Sequence, residues 1–275
     1  MIIVYTPNNK PEKVSLNKKV NGWYRRGLYL RREWIAYYCK LFKQDSLEQH
    51  RVVIFGQGRT GSTLLEDLIF KTGHFQKHGE LFHKSRGQIL FPLPFIRGLA
   101  RRRPEENFIF HVKIYQLVND RRRPEDTARF LKALYASGWK IIYLSRRNKV
   151  KHVLSNYVHN ARGASHKFND KKEEIELQID PEGFLTWVKE RERFTEEEKK
   201  ALQGLEYIEV VYEDDLEKQE MHQGTVDRIL DELSLERKKV QTRHKKVNSQ
   251  PLDCLIKNYD QFKKHLTDHG LAKYL

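Results

Sequence analysis

One short stretch carries residue types, at a suitable spacing, to hold an anion. Residues 55–65 read Phe-Gly-Gln-Gly-Arg-Thr-Gly-Ser-Thr-Leu-Leu. Glycines let a backbone curl until successive N–H groups converge on one point, and a helix opening near Gly61 adds unpaired donors and partial positive charge there. Set against the phosphate-loop pattern G-x-x-x-x-G-K-S/T, Gly56 and Gly61 fall in register, but Ser62 stands where the lysine belongs. That lysine grips the terminal phosphates of a nucleoside triphosphate, so its absence argues against ATP or GTP chemistry. What remains is one cation, Arg59, and the hydroxyls of Thr60, Ser62 and Thr63. Such a cradle suits a smaller anion bearing two charged groups.

The elements that must position this loop are legible around it. Arg51 to Phe55 is a short apolar run and predicts a strand, followed by a helix from Gly61 to Thr72. Further strands are expected at Phe108–Ile114, Lys140–Ser145 and Tyr207–Tyr212. Helices are expected from Pro124, as first helical residue, to Ala136 and from about Asn148 to Ala161. Short strands alternating with helices imply an α/β fold, a P-loop-type central parallel sheet with helices on both faces. Ligands of such sheets bind at the carboxyl ends of the strands. The polar stretch 163–180 has no period and is expected to be a mobile loop.

Residues 16–45 are basic and aromatic-rich, with Trp23, Leu30, Trp34, Tyr38 and Leu41 at helical spacing. They predict an amphipathic helix on the core, with a membrane-surface or acceptor-binding arm as the alternative. The division expected is an N-terminal extension, 1–50, and a catalytic α/β domain, 51–275.

The 275 residues carry a formal charge of +15 and a pI near 9.6, which points to anionic partners. No RNA-recognition, KH, helix-turn-helix or zinc-finger signature accompanies the charge, so nucleic acid is not the expected partner. With only Cys39 and Cys254, neither a disulfide framework nor a zinc ribbon is written here. The opening residues have no signal-peptide pattern, and the longest apolar stretch, near Ile89–Ile96, is broken by Pro92 and Pro94. The expectation is a soluble, cytoplasmic protein.

The residues Gly58-Arg-Thr-Gly-Ser-Thr resemble the 5′-phosphosulfate loop of sulfotransferases that use 3′-phosphoadenosine-5′-phosphosulfate (PAPS). The likeness is to their bacterial carbohydrate group, the nodulation-factor and trehalose-lipid enzymes. It implies that Gly58, Arg59, Thr60, Gly61, Ser62 and Thr63 hold the sulfuryl-bearing phosphate. A second match follows the third strand, where Arg147 precedes Ser155 by eight residues. That is the spacing of the family's 3′-phosphate motif, an arginine at the strand end and a serine on the next helix; Arg146 can share the arginine's role. Val211-Tyr-Glu-Asp-Asp-Leu216 is similar to the family's YEDL segment, and Lys246 to Asp260 to its C-terminal K-x-x-x-x-P-L … I-x-N-Y-D stretch. The last nominates Arg243, Lys245 and Lys246 for the 3′-phosphate.

The resemblance implies in-line sulfuryl transfer from PAPS to an acceptor hydroxyl, on a carbohydrate or glycolipid, without a metal and with PAP as product. Glu80, in Gly79-Glu-Leu-Phe82, is similar to the family's P-x-E-x-F segment and is the favoured base, although glycine and not proline precedes it. A carboxylate in a partly dry cleft is expected to have a raised pKa. His111 is the alternative base, since other branches of the superfamily use histidine, and Lys113 can assist the leaving group. Arg59 would stabilise the departing phosphate. His78, Glu80 and His83 do not have the spacing of a helical zinc site, and their segment reads as irregular. The paired runs Arg101–Pro104 and Arg121–Pro124 are either solvated faces or collectors of an anionic acceptor. The rival readings are a P-loop kinase or NTPase and a non-enzymatic anion or nucleic-acid binder.

Overall fold

A computed structural model describes residues 3–4, 16–84, 88–161, 175–241 and 250–275, with side chains from residue 26 onward. In chain order the elements begin with β1 (Ile3–Val4), α1 (Leu16–Phe42), β2 (Arg51–Gly56), α2 (Ser62–Lys71) and β3 (Phe75–Glu80). They continue with α3 (Pro92–Arg102), β4 (Asn107–Lys113), α4 (Ile114–Val118), α5 (Thr127–Tyr135), β5 (Lys140–Ser145) and α6 (Lys149–Ala161). Then follow β6 (Leu177–Gln178), α7 (Pro181–Leu202), β7 (Ile208–Val211), α8 (His222–Glu232), α9 (Leu252–Leu255) and α10 (Tyr259–Asp268).

The chain divides into two compact units. The larger comprises Glu12–Ser145 and Glu197–Thr242. It holds a five-stranded sheet in the order β3-β4-β2-β5-β7, parallel throughout. The fold is therefore α/β of the P-loop type. After β2 the chain builds β3 and β4 on one side and later β5 and β7 on the other. The carboxyl end of β2 is thus the switch point where such sheets open a ligand crevice.

The strands read as near-continuous apolar runs because both sheet faces are covered. Val52 and Ile54 pack with Leu65, Leu68 and Ile69 of α2 and with Val226, Ile229 and Leu230 of α8. On the pleat, Val53 and Phe55 alternate to the opposite face. Helix α1 belongs to this unit and packs on α3, where Gly98 lies so close to the Ala36 carbonyl that a Cβ would clash. Gln49 closes the carboxyl end of α3 by donating to the carbonyls of Ala100, Arg103 and Glu106.

Two expectations need correction here. Helix α5 does not begin at Pro124. Asp126 is its N-cap, accepting the Arg129 N–H at 2.9 Å, and the Glu125 N–H is tied back to the Leu117 carbonyl, so the chain is still turning at Pro124. The segment through His78 and Glu80, with His83 beyond it, forms the edge strand β3, irregular only in its register shift between Lys77 and Glu80. Its outward positions are polar, as an edge requires.

The smaller unit comprises Met1–Pro11, Arg146–Glu196 and Arg243–Leu275. Its core joins Val150, Val153 and Val158 of α6 with Phe184 and Val188 of α7 and with Phe262 and Leu266 of α10. Within the expected loop 163–180, residues 163–174 lie outside the described residues, and Leu177–Gln178 is a strand paired with Ile3–Val4. Asn258, from the I-x-N-Y-D stretch, accepts the Ile179 N–H and donates to its carbonyl, so it works as a backbone clamp.

Candidate functional site

The loop after β2 is shaped by close approaches. A Cβ on Gly56 would sit 2.2 Å from the Leu144 carbonyl oxygen of neighbouring β5. One on Gly58 would sit 2.2 Å from the Tyr115 hydroxyl and 3.3 Å from Cδ of Lys113. Arg59 takes a left-handed backbone, φ 69°, costing about 1 kcal/mol or more for a residue with a Cβ. Thr60 fixes that curl from inside, its buried hydroxyl donating to the Gln57 carbonyl at 2.7 Å. Gly61 is the N-cap of α2 and supplies no side-chain cap, which leaves the first-turn N–H groups to an outside acceptor. Ser62 is buried in that first turn and Thr63 is exposed.

Tyr212 and Leu216, from the single π-helical turn that follows β7, pack against Gly61. Asp215 in this turn accepts the Val211 N–H and pairs with Arg228 at 2.8 Å. The YEDL-like segment thereby braces the loop from below.

Beside the loop stands an ion pair. Lys113 ends β4 in register with Gly56, its stem passes Gly58, and its Nζ lies 2.7 Å from Oε2 of Glu80. Gln116 completes the carboxylate's contacts, donating to Glu80 Oε1 while its own Oε1 accepts the Lys113 N–H. Glu80 owes this position to the backbone. Between Lys77 and Glu80 the β3–β4 register shifts, and Gly79 sits at φ +66° within that bulge. The Gly79 N–H, freed from the ladder, donates to the buried carboxylate of Glu66 on α2 at 2.7 Å. Glycine suits this position because a left-handed bulge, and not a proline turn, aims the glutamate.

The electrostatics overturn the expectation of a raised Glu80 pKa. Burial alone would raise it, but the Lys113 ammonium, seconded by His111 and His83, outweighs burial and holds the carboxyl below its ordinary value. Glu80 is thus a stabilised carboxylate whose two oxygens are both engaged. His111 lies buried in β4, in register between Ile54 of β2 and Glu80 of β3.

In the larger unit, then, residues 58–63, Glu80, His111 and Lys113 gather at the carboxyl edge of β2, β3 and β4. The remaining nominated residues belong to the smaller unit. Arg146 is buried, Arg147 is exposed, and Asn148 caps α6 by accepting the Lys151 N–H at 2.8 Å. Ser155 is half-buried two turns into that helix. Arg243, Lys245 and Lys246 lie outside the described residues. Sequence reasoning missed Gln116 and Glu66, which aim and hold the glutamate. Neither carries a motif; only their burial as polar groups marks them.

Among the described residues no cluster of His, Cys, Asp and Glu is built to hold a metal ion, and no helix is long and apolar enough to cross a membrane. Fold and site together define a P-loop-type α/β protein with a glycine-curled, lysine-less loop at its switch point. No family model matches the chain, and no curated protein matches it either.

Proposed function

We propose that the protein is a PAPS-dependent sulfotransferase acting on an acceptor hydroxyl of a carbohydrate or glycolipid. The observation that carries the reading is Lys113, whose stem passes Gly58 of a loop with no Walker lysine and whose ammonium pairs with Glu80. A cation and a carboxylate, side by side at an anion cradle, are the two charges that sulfuryl transfer requires. The rest of the support is the sequence resemblance of the loop and of the Arg147–Ser155 pair.

In this mechanism the loop N–H groups and Arg59 hold the 5′-phosphosulfate, and preorganised charge does most of the catalytic work. Charge develops on the phosphate oxygen as the sulfur–oxygen bond breaks, and Lys113 is drawn toward it. Its departure from Glu80 removes the influence that depresses the carboxylate's pKa, so Glu80 gains basicity as the acceptor hydroxyl loses its proton. The pairing that weakens Glu80 as a base in the resting protein thus becomes the means of timing it. The sequence resemblance alone assigns Arg147 and Ser155 to the 3′-phosphate.

The test is Glu80→Gln. Transfer of label from sulfur-labelled PAPS to acceptors in a carbohydrate extract should fall by about a hundredfold or more, the scale of general-base loss. PAP affinity should change by less than about threefold, because the base acts on the acceptor. Full turnover in this variant removes Glu80 from the mechanism. In a melting assay PAP should stabilise the protein, whereas stabilisation by ATP–Mg would favour a kinase and by oligonucleotide a nucleic-acid binder.

A further inference from the structure

Among the described residues, nothing covers one face of the carboxyl-terminal half of α1. Glu33, Ala36 and Cys39 are buried on the side facing α3. On the opposite side Leu30, Trp34, Tyr38, Leu41 and Phe42 recur at helical spacing and are exposed, Trp34 by 67%, Phe42 by 71% and Leu41 by 75%. A scattered exposed apolar residue needs no explanation, but a contiguous patch marks a contact surface. This one is contiguous. The Tyr38 and Phe42 rings lie 4.8 Å apart, Trp34 meets Tyr37 edge-on at 6.1 Å, and Tyr37 meets Phe91 at 5.9 Å. Phe91 and its neighbour Leu90 are themselves more than half exposed.

The rim is basic. Among the described side chains of α1, Arg26, Arg31, Arg32 and Lys40 are basic, and the acidic Glu33 is buried and accepts the Leu90 N–H. At the carboxyl end of α1, Lys43 donates to the Arg102 carbonyl and Arg101 to the Lys40 carbonyl, which brings in the run Arg101–Arg103. Beside Leu90, Arg121 donates to the Ile89 carbonyl and the Arg122 N–H to Gln88, which brings in the run Arg121–Arg123. Arg102, Arg103, Arg122 and Arg123 are all exposed. Of the nearby carboxylates, Asp45 is bound by Arg51 and Arg101, Glu106 by Arg103, and Glu125 lies 3.9 Å from Arg121, which leaves Arg102, Arg122 and Arg123 as the outward charges. The two arginine runs of the sequence therefore border one aromatic patch.

We propose that this face docks on an anionic membrane surface, with the rings and leucines at the headgroup–acyl boundary and the arginines on acidic headgroups. Aromatic side chains at interfacial depth and a cationic border are what such a surface rewards. Leu30, Leu41 and Leu90 within the patch gain from acyl chains and nothing from a phosphate backbone. A second copy would bring like charges rim to rim. None of these patch and rim residues belongs to the loop or to the Lys113–Glu80 pair.

The test is flotation of the full chain with phosphatidylcholine vesicles and with vesicles that also contain phosphatidylserine. Two double variants at exposed positions are compared, Trp34→Ser with Phe42→Ser and Arg102→Glu with Arg122→Glu, their melting temperatures checked against wild type. The protein should float with the anionic vesicles and not the neutral ones, and each double variant should bind about tenfold more weakly or worse. No flotation on anionic vesicles overturns the proposal. So does flotation that ignores the loss of Trp34 and Phe42, since charge alone then explains it. Self-association abolished by the aromatic variant, or an oligonucleotide that it binds less well while vesicles are unaffected, would assign the face to another partner.

Discussion

Replacing Lys113 by methionine removes a charge while keeping most of the stem that passes Gly58. Lys113 and Glu80 are 2.7 Å apart and only 17% and 19% exposed, so the glutamate left behind keeps its burial and loses its partner. Stranding one charge of a buried pair costs ~3–5 kcal/mol. The remaining solvent access and the Gln116 contact bring this to about 2–3 kcal/mol near neutral pH. The sign of the pH dependence is fixed by burial and charge. In the wild type the folded Glu80 pKa is depressed, so its contribution is present above the unfolded pKa and is lost as pH falls through the folded one. In the variant, burial, already the largest single influence, is no longer offset by Lys113 and raises the folded pKa above the unfolded value. The variant is then favoured when Glu80 is protonated and loses stability as pH rises. The stability gap should therefore widen from about pH 4 to about pH 7. Urea denaturation of both proteins across that range reads it directly. A gap that stays constant with pH, or remains below about 1 kcal/mol at neutrality, would refute the reasoning.

The elements that aim Glu80 should respond in proportion to their strain. Gly79→Ala, at φ +66°, should lose about 1–2 kcal/mol in urea denaturation, because a Cβ is unfavourable in the left-handed region. An unchanged midpoint would mean the bulge is not a constraint. Asp126→Ala should cost about 1 kcal/mol through the lost α5 cap, with Asp126→Asn restoring most of it. Equal loss in both variants would move the cause away from capping.

How much of this was legible in the sequence depends on the element. The loop and β2 were, because Val52 to Phe55 is an unbroken β-branched and aromatic run, too short for a helix and meeting a glycine turn. β3 was not. An edge strand that reads Phe-Gln-Lys-His-Gly-Glu offers one apolar residue and a bulge glycine, so periodicity has nothing to count. α7 hides for a related reason. Its inward stripe of Phe184, Val188, Arg191, Phe194 and Glu198 includes two buried charged residues that interrupt the hydrophobic pattern. The pairing of Lys113 with Glu80 depends on strand order, which local sequence does not encode. The pKa direction followed from that pairing, and was misjudged from burial alone. Proline at 124 misled because its fitness for a first helical turn is matched by its fitness for a bend.

The sulfotransferase assignment stands or falls on what the loop prefers to bind. Calorimetric titration of the 275-residue chain with PAP, beside ATP–Mg, measures that preference. The account predicts a saturable, metal-independent PAP site that weakens about tenfold or more when Arg59 is replaced by alanine, with ATP–Mg binding far more weakly. Tight ATP–Mg binding with no heat from PAP would contradict it.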